Sequence, residues 1–179
     1  MADRPSLESI LNRHPFRDHR WLDPAEIIVS QWVRMKCQFG CPHFGRAASC
    51  PPNTPSVQEC RALFREYRRA AVLHFEHIAP EASERRAWSA RTNRDLAALE
   101  RDVFLAGYPM AFMLFMDSCH LCAECVPHRA ECKEPALSRP SPESMAVDVF
   151  TTVRRIGYPI EVLTDLTTPM NRYAFLLIE

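Results

Sequence analysis

Lysine is almost absent. Of the 22 basic residues only Lys36 and Lys133 are not arginine, and 22 acidic residues cancel them to a formal net charge of zero. A chain so balanced has no overall field to draw it onto nucleic acid or an anionic membrane. Glycine is scarce as well, four residues against fifteen prolines, so the loops are expected to be stiff and directed. No apolar run reaches the length of a membrane span. The opening stretch "MADRPSLESILNRHPFRDHRW" carries charges where a signal peptide has an apolar centre. The nucleophile-elbow, phosphate-loop, zincin and dinucleotide fingerprints are all missing. These absences lead us to expect a cytoplasmic protein with no nucleic-acid partner and no membrane insertion.

Sulfur, by contrast, is plentiful. A chain of 179 residues that is 47% apolar can bury a core without staples, yet it carries eight cysteines. In a reducing compartment disulfides do not persist, so metal ligation is the leading explanation. Cys119, Cys122, Cys125 and Cys132 are spaced C-x2-C-x2-C-x6-C. Three thiolates so close in sequence line one concave turn. Such a turn suits the separate iron corners of a [4Fe–4S] cluster, and the ferredoxin run begins with the same core. The alternative is a tetrahedral zinc site built from two pairs, Cys119 with Cys122 and Cys125 with Cys132.

A second constellation, "KCQFGCPHFGRAASCPP", holds Cys37, Cys41 and Cys50 as C-x3-C-x8-C, one ligand short of a closed site. The fourth position could be taken by Cys132, by His43, by water, or left open on the iron for a substrate. Both constellations could also converge on one cluster. A zinc loop or buried thiols are the plainer alternatives. Cys60 stands apart: it sits on a helical apolar stripe with Phe64 and Tyr67, as a small hydrophobe does. His74 and His77 read as structural. His43, His120 and His128, inside the cysteine loops, read as neighbours of the ligands more than as ligands. Arg34, Lys36, Arg46, Arg129 and Lys133 flank the cysteines, where cations favour thiolate.

Residues 1–25 read as an N-terminal arm, with a short helix around "SLESILNRH", and 26–179 as a single metal-binding domain. "AEIIVSQWVRMKC" is expected to be a strand that turns Ile27, Val29, Gln31 and Val33 to one side and ends at Cys37. Ser56 to Glu59 form a capping box that opens a helix to about Arg68. "AAVLHFEHI" and "AFMLFMD" are strands, separated by a long helix from about Ala82 to Ala106 with Trp88, Leu96, Leu99 and Val103 inward. Ser141 caps a further helix with Pro142 in its first turn and Met145, Val149, Val153 and Ile156 buried. Strands around "IEVLT" and "YAFLLIE" complete the chain. This order defines an α/β or α+β fold, a sheet of about five strands with packed helices and two cysteine-rich loops.

The pairing of "WVRMKCQFGCPHFG…SCPP" with "SCHLCAEC…CKEP…RPSPES…DVF" resembles a family of predicted metal-binding proteins, catalogued as domain of unknown function number 2284. The resemblance runs from about Ile27 to Glu179. It implies that Cys37, Cys41, Cys50, Cys119, Cys122, Cys125 and Cys132 match the family's cysteine pattern, and that Cys60 does not. This chain has Phe44-Gly45 where the family often has Tyr-Gly, and Pro142 where it tends to have methionine. Neither difference touches a sulfur.

The residues therefore lead us to expect one or two iron–sulfur clusters of the [4Fe–4S] type, in an electron-transfer or accessory module that serves a redox partner protein. Two alternatives stand beside it. One is an enzyme acting on substrate through the incompletely ligated Cys37/Cys41/Cys50 cluster. Its C-x3-C start is shared with radical S-adenosylmethionine enzymes, but their third cysteine follows two residues later and here it follows eight later. The other is a zinc-stabilised interaction domain.

Overall fold

The computed structural model describes residues 6–179; the first five residues of the expected arm lie outside this range. Four strands, β1 (Asp18–Leu22), β2 (Ala70–His77), β3 (Phe112–Leu114) and β4 (Met170–Leu177), form an antiparallel sheet in the order β1-β2-β4-β3. The mixed helix-and-sheet layering expected from the sequence is what the chain adopts, with four strands where about five were expected. None of the helices among the described residues is long and apolar enough to cross a membrane.

Strand alternation builds two cores, one on each face of the sheet. Leu73, Phe75, Ala174 and Leu176 meet helix α4 (Ala82–Leu105) and the short α1 (Leu7–Leu11) on one side. Val72, Phe175 and Leu177 meet α3 (Val57–Arg65) and α5 (Val149–Arg155) on the other. The central strands are therefore apolar almost without interruption, as strands covered on both faces must be. The capping box at α3 forms as its sequence indicates: Ser56 Oγ accepts from the Glu59 amide, and the Glu59 carboxylate accepts from the Ser56 amide at 2.8 Å.

Four differences from the sequence reading have physical causes. The segment expected to run as a strand to Cys37 is instead a helix, α2 (Gln31–Gly40). The alternation breaks at polar Gln31, and from there Gln, Arg, Met and Lys favour helix. Only Val29 keeps an extended pairing, as a single bridge to Val147. The helix expected after Ser141 is divided. Glu143–Met145 make one 3-10 turn, Ala146 adopts φ +61°, and α5 restarts with Asp148 accepting from the Thr151 amide. The buried positions Met145, Val149 and Val153 are nevertheless as expected. "IEVLT" forms no strand, because β2 and β3 already occupy both edges of β4. Residues 18–22, without any strand in the sequence reading, pair along β2 as β1.

The outer edge of β3 is closed by an ion pair. Glu100 on α4 receives Arg139 Nε at 2.8 Å and also accepts the Met113 amide at 2.8 Å. Its neighbour Phe115 donates its amide to the Pro140 carbonyl. This clamp ties the end of the second cysteine loop to the sheet. Glu100→Ala leaves both donors unpaired in a mostly buried setting and is expected to cost about 3 kcal/mol. Urea unfolding reads this directly, and a loss under about 1 kcal/mol, the range of a surface pair, would contradict the clamp.

Candidate metal centre

Helix α2 presents Cys37 one turn before Cys41, which caps its C-terminus. Four residues make about one helical turn, so both sulfurs fall on one side. From there the chain proceeds by consecutive turns. Phe44 N–H donates to Cys41 O, Gly45 N–H to Pro51 O at φ +70°, and Cys50 N–H to Ala47 O. The expected ordered loop is present, and it returns Cys50 to the side of Cys37 and Cys41. All three sulfurs line one cavity of about 340 Å³.

The second loop leaves β3 and is pinned along one side of α4. Asn93 Nδ2 donates to the carbonyls of Ser118 and Cys119 at 2.9 and 3.1 Å. Arg94 donates to Leu121 O, Arg86 to Cys122 O and Ala123 O, and Ser89 to the Asp117 carboxylate. His120 turns the chain with φ +49° between Cys119 and Cys122, while Leu121 inserts into the core. Cys119, Cys122, Cys125 and Cys132 then border a second cavity of about 420 Å³.

The two loops are fastened to each other. Asn53 Nδ2 donates to Ala47 O and to Pro127 O, at 3.2 and 2.7 Å, and its Oδ1 accepts from the Arg129 amide. The Ala48 amide donates to the Cys125 sulfur at 3.4 Å. Cys50 and His43 sit on the walls of both cavities, so the two sulfur groups are neighbours. Cys132 borders the four-sulfur cavity with its own loop and is not on the wall of the other.

None of the eight cysteines is in a disulfide. Cys60 is fully buried in the α3 core and borders neither cavity, as a packing residue should. Among the described residues no three His, Cys, Asp or Glu side chains close on a point fit for a single ion; the sulfurs line walls instead. His74 is buried in a hydrogen-bonded network, and His77 stacks on Trp88. His120 borders the four-sulfur cavity, where burial lowers its pKa.

The electrostatics of the two cavities differ. Around the four-sulfur cavity stand Arg46, Arg86 and Lys133 against Glu124 and Glu134. Around the three-sulfur cavity stand Asp117, Glu143 and Glu161 against Arg172. Burial, with Cys37 and Cys41 close by, pushes the Cys50 thiol up to about 11. Burial likewise raises Cys37.

The residues that support the second loop, Arg86, Ser89, Asn93 and Arg94, were missed by the sequence reading. Their positions repeat at three, four and one residues along α4, a helical face, but they are polar. A pattern search that assigns the inward side by apolarity passes over them.

These features define a mixed helix-and-sheet fold that carries two adjoining cysteine-lined cavities. Residues 20–178 match the family described as predicted metal-binding protein (DUF2284), and the chain belongs to it. No curated protein and no solved structure matches the chain.

In the metal-free protein Cys50 is a neutral thiol at neutral pH, and only its thiolate is alkylated. Its iodoacetamide rate should rise about tenfold per pH unit from pH 7 to 10, because the raised pKa keeps each unit below the midpoint. Peptide mass spectrometry reads this. A rate that levels off near pH 8.5 would contradict it.

Proposed function

We propose that this chain is an iron–sulfur protein of the [4Fe–4S] type whose two sulfur groups pass electrons to or from a partner. The observation that carries this reading is the gathering of seven unpaired cysteines, from loops about eighty residues apart, onto the walls of two adjoining cavities. The donor set fits. Thiolate is the ligand such clusters use, and a polyatomic body presents separate irons to sulfurs spread around a wall. Zinc would instead draw four donors to about 2.3 Å from one point.

Cys119, Cys122, Cys125 and Cys132 would hold one cluster, with all four ligands from a single loop. Cys37, Cys41 and Cys50 would hold a second, with His43 on the wall of the same cavity. When bound, the clusters supply one-electron chemistry. The protein's part is to hold the sulfurs apart, to donate the Ala48 amide to Cys125, and to set Arg86 and Lys133 beside ligands that carry negative charge.

The partner is a redox protein in this reading. Trp32, Met35 and Phe39 on α2 are 51%, 43% and 75% exposed and share one side of the helix that carries Cys37. An exposed apolar patch of this kind supports docking on the side of α2 away from Cys37. The reading places the protein in a reducing cytoplasm, where the thiols stay available.

Anaerobic purification of two variants tests the ligand assignment. Cys122→Ser should remove or convert one cluster, seen as lost iron and visible absorbance. Cys60→Ala should keep all the iron and cost on the order of 1 kcal/mol of packing. Equal iron loss in both variants would overturn the assignment.

A further inference from the structure

The four-sulfur cavity is bordered by its four cysteines and by charged residues of both signs. The three-sulfur cavity has more than sulfur requires. Besides Cys37, Cys41 and Cys50 it is lined by three aromatic residues, Phe44 from the first loop, Phe150 from α5 and Tyr173 from β4. Its volume of about 340 Å³ must hold any group on the three sulfurs together with a guest, so only a small guest fits.

Its polar groups are sorted by type. Asp117 and Glu143 are acceptors on the segments that follow β3 and precede α5, whereas Asn171 and Arg172 are donors at the start of β4. Among the described residues neither Glu143 nor Arg172 is in an ion pair. Glu143 is exposed and lines the cavity.

Asn171 is held by a buried network that packing alone does not require. Its Oδ1 is 2.7 Å from His74 Nε2, and His74 Nδ1 is 3.4 Å from Asp18 Oδ2. Asp18 in turn accepts from the Tyr158 hydroxyl at 2.5 Å, and the His74 ring stacks on Tyr173 at 5.1 Å. With Oδ1 taken by His74, the amide NH2 of Asn171 is left for the cavity.

Three carboxylates against one guanidinium make the cavity unfavourable to an anion. Flat aromatic walls select a flat guest. A ring with a C=O toward Asn171 and Arg172 and an N–H toward Glu143 would meet both kinds of group, while Asp117 is already held by Ser89 and the Ser118 amide. We propose that the cavity beside Cys37, Cys41 and Cys50 is a ligand site for a small uncharged planar ring bearing adjacent N–H and C=O groups, a heterocyclic amide. This rests on and deepens the reading of that sulfur site: the three-cysteine group would lie beside a bound guest, and the four-cysteine group would not.

The test uses the anaerobically purified full chain, with iron measured on the same sample, and 2-pyridone as probe. Benzoate, of similar size but anionic, is the control. Calorimetry should show 2-pyridone binding at one site per chain and benzoate about tenfold weaker or worse. Phe150→Trp and Phe44→Trp fill the cavity from opposite elements, and each should weaken 2-pyridone at least about tenfold. Thermal melting confirms that the variant used is folded. No binding of 2-pyridone, equal or tighter binding of benzoate, or undiminished binding in a folded cavity-filling variant would each overturn the proposal. An iron-containing protein that ignores the ring overturns this inference alone. An iron-free protein that binds it overturns the iron–sulfur reading alone.

Discussion

Asn53 is the fastening on which the sulfur arrangement depends. One side-chain amide donates to a carbonyl on each cysteine loop and accepts an amide from the second. Separately the loops would be long, irregular segments with exposed polar backbone. Joined, and pinned by Asn93, Arg94 and Arg86 to a long helix, they inherit the rigidity of α4. Ordering a residue costs on the order of 1 kcal/mol of backbone entropy. A site made of loops therefore needs such hydrogen bonds before any ligand binds. The sheet and its two cores supply the fixed frame, and the Glu100–Arg139 clamp carries that frame to the end of the second loop.

The two cavities differ in charge. Around Cys119, Cys122, Cys125 and Cys132 three cations stand against two acids, so a negatively charged body bound there would be favoured. Acids and aromatic rings beside Cys37, Cys41 and Cys50 do little to stabilise extra negative charge. Cys50 and His43, common to both walls, keep the two groups adjacent. In this account one group stores charge and the other faces the chemistry.

Much of this was legible in the residues. Ser56 and Glu59 announced α3, the apolar runs announced β2 and β4, and Cys60 declared itself a core residue by its helical phase with Phe64. The spacing of Cys119, Cys122 and Cys125 indicated a shared concave wall, and all three border one cavity. What escaped had a common cause. Contacts distant in sequence leave no periodic trace: Asn53 with Pro127, Asn93 with Cys119, and His74 with Asn171 are far apart along the chain. Helix α2 was mistaken for a strand because β-branched Ile27, Ile28 and Val29 precede it and blur its start. β1, "DHRWL", has only Leu22 buried, and a half-exposed edge strand carries little apolar signal.

The account turns on iron being held by these sulfurs. Native protein isolated without oxygen and assayed for iron, acid-labile sulfide and zinc puts this to the most direct test. The account predicts a brown protein with about four or eight irons per chain and matching sulfide, the loads of one or two cubanes. A colourless protein carrying stoichiometric zinc and no labile sulfide would contradict it.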